Sequence, residues 1–146
     1  MTVSTVPEWF WDLLEASRPS LQRLEDWLGR AEPERIVEFA RAWRDASEAI
    51  ADATNGPTVD GERLSEDDTE DFCHWVVSQG RETWQTALPP AALEDFVRRY
   101  RGGDGTWDPD FRDSRRAARS SSPRTLAFVV FRERFDDELS DYLSDD

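Results

Sequence analysis

The chain has 146 residues, 32 acidic and 18 basic side chains, and a net charge of −14. That length suits a single domain with a real core, and the acidity argues against a surface that binds nucleic acid or an anionic membrane. One cysteine permits no internal disulfide, and the longest apolar run, LAFVVF at 126–131, is too short to span a bilayer.

The pattern reads as helix nearly throughout. Thr5 is placed to cap a first helix with Pro7 in its first turn, and Trp9, Phe10, Leu13 and Leu14 form its apolar stripe. A break is expected at Arg18–Pro19, because a residue before proline avoids the helical region. Leu21, Leu24, Trp27 and Leu28 mark a second helix that stops at Gly29. Pro33 opens a third and longer one, with Ile36, Phe39, Ala40, Trp43 and Ile50 on its buried face and mixed charges on the other.

The stretch TNGPTVDGERL, 54–64, reads as a loop, with Asn-Gly-Pro and Asp-Gly as punctuation. Ser65 with Asp68 then resembles a capping box, and Glu66, Asp67 and Asp68 lie where a helix dipole favours acids. Phe72, Trp75 and Val76 are the buried face of this fourth helix. At about 100° per residue, Trp84 and Leu88 fall roughly 140° around from that face. One unbroken helix would aim its two stripes apart. A break at Gly80, held by Trp75 and Trp84 with Arg81 as anchor, lets both face one core.

Pro89 and Pro90 are expected to open a further helix carrying Leu93, Phe96, Val97 and Tyr100, stopped by Gly102 and Gly103. SRRAARSSSPR, 114–124, is the one basic patch. The final segment is expected to be helix, not strand. Phe128, Phe131, Phe135, Leu139 and Tyr142 step by three or four, and a lone strand would lack a partner. The expected fold is mainly α: one domain of six or seven loosely bundled helices.

Candidate chemistry is sparse. Cys73 and His74 are the only cysteine and the only histidine. As helix neighbours they point about 100° apart and cannot form a thiolate–imidazole dyad. One of each is too few for zinc. DGTWDPDFRD, 104–113, lacks the order of a calcium loop, and RGGDG lacks the strand and the Lys-Ser/Thr of a phosphate loop. No catalytic residue, metal site or cofactor is assigned. The groups best placed to bind something are His74, Ser78, Gln79, Arg81 and Glu82, around the Gly80 corner.

DDTEDFCHWVVSQGRETWQTAL, 67–88, carries an acidic pair, a Phe, and a Trp-Val-Val-Ser-Gln-Gly-Arg-Glu core. It resembles the signature of an uncharacterised bacterial family, domain of unknown function 4240. FWDLLEASR, 10–18, and EPERIVEFARAW, 32–43, are similar to that family's opening and middle helices. The resemblance covers about residues 7–88 and leaves 89–146 as a C-terminal helical extension of the same domain. It implies an α-helical, cytoplasmic bacterial protein and supplies no activity.

The leading expectation is therefore a non-enzymatic protein-binding or regulatory module, its acidity suited to a basic protein partner. The alternatives are an enzyme with a small site at the Gly80 corner, where His74, Gln79 and Arg81 would hold substrate, and an acidic immunity or nucleic-acid-mimic protein.

Overall fold

The structure is a computed structural model that describes residues 6–54, 57–88, 93–111 and 122–143. Seven α-helices lie within them: α1 Glu8–Ser17, α2 Leu21–Arg30, α3 Pro33–Thr54, α4 Glu66–Ser78, α5 Arg81–Ala87, α6 Leu93–Arg101 and α7 Pro123–Phe135. A 3-10 turn, Leu139–Tyr142, follows α7. The mainly α, single-domain expectation is met.

The central element is α3, which packs against α4, α5, α7 and the 3-10 turn. Its stripe of Ile36, Phe39, Trp43, Ala46 and Ile50 is buried, and Phe10 of α1 meets both Phe39 and Trp43 edge-on or tilted. Full burial of each such large apolar side chain contributes about 1.5–3 kcal/mol, which is why these positions and not the charged face of α3 fix its rotation. Ser65 caps α4 as expected, accepting from the backbone N–H of Asp68, and Ser20 and Ser122, not anticipated as caps, accept likewise from Arg23 and Thr125.

Gly80 does break the helix. α4 ends at Ser78, and Gly80 (φ 103°, ψ 177°) caps α5 in a conformation open only to glycine. The turn lets Trp84 bury itself and donate to the Ala46 carbonyl of α3 at 2.9 Å.

Three local expectations change. Pro7 stands at the N-cap of α1, not in its first turn. Part of the 54–64 loop is a minimal antiparallel hairpin, β1 Thr58–Val59 with β2 Glu62–Arg63. Asp60 and Gly61 both take positive φ, 52° and 83°, as a two-residue primed turn demands. The last helix does not run to Tyr142. Asp136 adopts the left-handed conformation and closes α7 by donating to the Arg132 carbonyl, after which the 3-10 turn brings Tyr142 back to Phe131. The Phe-Leu-Tyr rhythm therefore describes two elements on one surface. The expected Thr5 cap, the Pro89–Pro90 opening and most of the Arg patch at 114–124 lie outside the described residues.

Candidate functional site

The Gly80 corner is a joint built from internal hydrogen bonds. Arg18, at the end of α1, reaches the Gln79 carbonyl with Nη1 at 2.6 Å and the Gln79 Oε1 with Nη2 at 3.5 Å. The buried Gln79 carboxamide donates to the Gly105 carbonyl at 2.8 Å and to Ser78 Oγ at 3.0 Å. Trp107 donates its indole N–H to the Ser78 carbonyl at 3.0 Å, and Trp75 donates to the Asp104 carbonyl at 2.8 Å. Gly105 approaches so closely that a Cβ there would overlap the Gln79 carboxamide. Helix end, corner and the 102–111 loop are thus pinned together, although the buried Arg18 Nε has no hydrogen-bond partner among the described residues.

The guanidinium in this joint belongs to Arg18. Arg81, expected as the anchor, contributes its backbone N–H to Glu15 Oε2 at 3.1 Å, while its side chain is exposed and meets Glu8 at 3.4 Å. Arg81 and Glu82 lie on an open groove with Glu15, Arg18 and Gln79.

His74 faces elsewhere, and Ser78, bound into the joint, also borders a cavity. Two adjoining cavities, of about 450 and 350 Å³, share Trp43, His74 and Arg124 in their walls. The larger lies between α3, α4 and α7 and is floored by Phe39, Ala40, Ala127 and Phe128. The smaller runs past Ser78, Trp107 and Tyr100. Both fall within or at the lower edge of the range usual for ligand pockets.

The chemistry of the shared wall follows from one contact. Trp43 donates its indole N–H to His74 Nδ1 at 3.0 Å. An indole nitrogen only donates, so Nδ1 carries no proton, and a neutral imidazole must then hold its proton on Nε2. Burial, with help from the Arg124 charge, pushes the His74 pKa down to about 4, so the ring is neutral at pH 7. His74 Nε2 is buried and has no hydrogen-bond partner among the described residues. Arg124 stacks over Phe128 at 4.8 Å and makes no ion pair with a described residue. Two donors thus stand in one wall, and Nε2 has no acceptor among the described residues.

Cys73 also lines the larger cavity, but burial first, and the Glu70 charge second, push its thiol up to about 12. It is a protonated thiol at neutral pH and a poor nucleophile. Among the described residues no group of three or more His, Cys, Asp or Glu converges as a metal site, and no helix is long and apolar enough to cross a membrane.

A family model described as Protein of unknown function (DUF4240) matches residues 7–121. The chain belongs to the DUF4240 family. No curated protein and no solved structure matches it. The DUF4240 match runs beyond residue 88, through α6 and the Trp107 loop, and so includes both ends of the bond from Trp107 to Ser78. It stops short of α7, so Trp43 and His74 of the cavity wall lie inside the DUF4240 match while Arg124 lies outside it.

Sequence reasoning singled out His74 and Ser78 but missed Trp43, Arg124, Arg18 and Trp107. Trp43 looked like core because its stripe position is core. Trp107 did leave a signal, a tryptophan inside a polar Gly-Asp loop, which is a costly place for an indole unless it is buried.

Proposed function

We propose that this protein is a non-enzymatic binding module whose ligand places an acceptor oxygen between His74 and Arg124. The observation that supports it is the buried Nε2–H of His74, which has no partner among the described residues. A buried donor left unsatisfied costs about 1–3 kcal/mol, energy that an entering oxygen recovers. Arg124 supplies a second, charged donor, and charge-assisted bonds of that kind are roughly twice as strong as neutral ones. Its long side chain belongs to both cavity walls, beside His74.

Binding fits this chemistry better than turnover. His74 has its Nδ1 lone pair engaged and a pKa of about 4, so it is no general base at neutral pH. Cys73 is no thiolate. The groups that meet at His74 donate hydrogen bonds and offer apolar contact, which is recognition. A regulatory role through a basic protein partner fits the charge of −14, which draws cationic molecules toward the surface.

The test is a proton–nitrogen NMR titration of labelled protein with phenylpropionate and with its primary amide, two probes that pair an apolar body with an acceptor oxygen. Saturable shifts at the Trp43 indole and the His74 ring are expected, and H74F should abolish them. Shifts confined to other residues, or none for either probe, would overturn the reading.

A further inference from the structure

The larger cavity is polarised along α4. Glu66, Glu70 and His74 are spaced four apart, so they share one face of the helix at about 6 Å per step, and all three line the cavity. Glu48 of α3 joins the two glutamates at the same end. All three carboxylates are exposed, and none has an ion pair or side-chain hydrogen bond with a described residue. Arg44, also in this wall, is engaged with Asp45 and with the Leu143 carbonyl. The donors His74 and Arg124 therefore lie about one helical turn from uncommitted negative charge, in a cavity whose lining also includes Phe39, Ala127 and Phe128.

From this polarity, and resting on the reading that an acceptor oxygen is bound at His74, we infer that the ligand of the larger cavity is an aliphatic chain with a carbonyl or carboxylate oxygen at one end and an ammonium group at the other. The oxygen lies against His74 and Arg124, the chain runs along the α4 face from His74, and the ammonium meets Glu70 or, for a longer chain, Glu66. The first step of about 6 Å suits a lysine-like unit, whose cation sits on a flexible four-carbon stem. A simple carboxylate satisfies the donors and leaves Glu48, Glu66 and Glu70 repelling it. A simple amine leaves His74 unsatisfied. Only the bifunctional chain answers both ends, and the overall charge of −14 favours its cationic end. Such a unit exists as a free ω-amino acid and as a lysine side chain beside its own backbone carbonyl in a basic protein.

Calorimetric and NMR titration of the full chain distinguishes these. The probes are ε-aminocaproate, caproate (the same chain without the amine) and an end-blocked lysine peptide. At least one of the two amine-bearing probes is expected to bind saturably, shift the His74 and Trp43 indole signals, and exceed caproate by about two- to fivefold, the scale of an exposed ion pair. Tighter binding of the peptide assigns the unit to a protein, and tighter binding of ε-aminocaproate to a free metabolite. E70Q should weaken the amine-bearing probe and leave caproate unchanged or improved, and its unaltered melting curve separates this from loss of fold. If caproate shifts His74 and binds as well as the amine-bearing probes, the inference is overturned while the acceptor site stands. If no probe moves His74, the acceptor site falls with it.

Discussion

Trp43 holds His74 in a single tautomer. The indole N–H of Trp43 meets His74 Nδ1 at 3.0 Å, and the ring's remaining proton is thereby placed on a buried Nε2 that has no acceptor among the described residues. A residue that looks like core on α3 thus sets the chemistry of the only histidine, which lies on α4.

This arrangement has a signature in pH. His74 has a folded pKa of about 4 against an ordinary 6.5. On acidification the unfolded chain takes up the proton first. The His74 contribution to stability is therefore fully present above about pH 6.5, is lost as pH falls towards about 4, and is level below that. Carboxylates titrate over part of the same range, so the measurement is a difference. The stability gap between wild type and H74Q, from denaturant unfolding, should shrink between about pH 7 and pH 4.5. A gap independent of pH contradicts the burial of a neutral ring.

Cys73 offers a second check. A buried thiol raised to about 12 should resist iodoacetamide at pH 8 in the native protein and react at a rate that follows unfolding. Rapid labelling of the folded chain would show an accessible thiolate.

The corner predicts a ranking of two arginines. R18M removes the guanidinium that bonds the buried Gln79 and should destabilise by about 1–3 kcal/mol. R81M removes only an exposed pair with Glu8 and should stay within about 0.5 kcal/mol of wild type. Equal effects would place the anchor elsewhere.

Two glycines should fail for different reasons. G80A forces a side chain into φ 103° and brings its Cβ to 3.3 Å from Glu15 Oε2, for a loss of about 1–3 kcal/mol. G105A should cost more, because its Cβ overlaps Gln79 and opens the bond between loop and corner. Thermal unfolding of both variants ranks them, and a G105A protein as stable as G80A would contradict the close approach.

What could be read from the sequence was what one element reveals by itself. The rotation of the apolar stripe between Val76 and Trp84 exposed the break at Gly80, and the spacing of Phe128, Phe131 and Phe135 showed that the apolar run in α7 is helix. Asp60-Gly61 was seen as a turn, but strands of two residues are too short to announce a hairpin. The site was less legible because its bonds join distant positions. Trp43 is 31 residues from His74, and Arg18 is 61 from Gln79. No local pattern distinguishes an indole that fills a core from one that also fixes a tautomer. The Ser-Gln-Gly-Arg-Glu core drew attention as a binding surface, yet Ser78, Gln79 and the Arg81 backbone serve the joint, and His74, four residues upstream of Ser78, faces the cavity.

The most direct test is the long-range proton–nitrogen correlation spectrum of the His74 ring at pH 7, alone and with saturating phenylpropionate. A neutral ring is expected, with Nδ1 unprotonated and the proton on Nε2, and with the Nε2 resonance moving when the acid is added. An imidazolium, a proton on Nδ1, or an Nε2 signal unmoved by the acid would contradict the account.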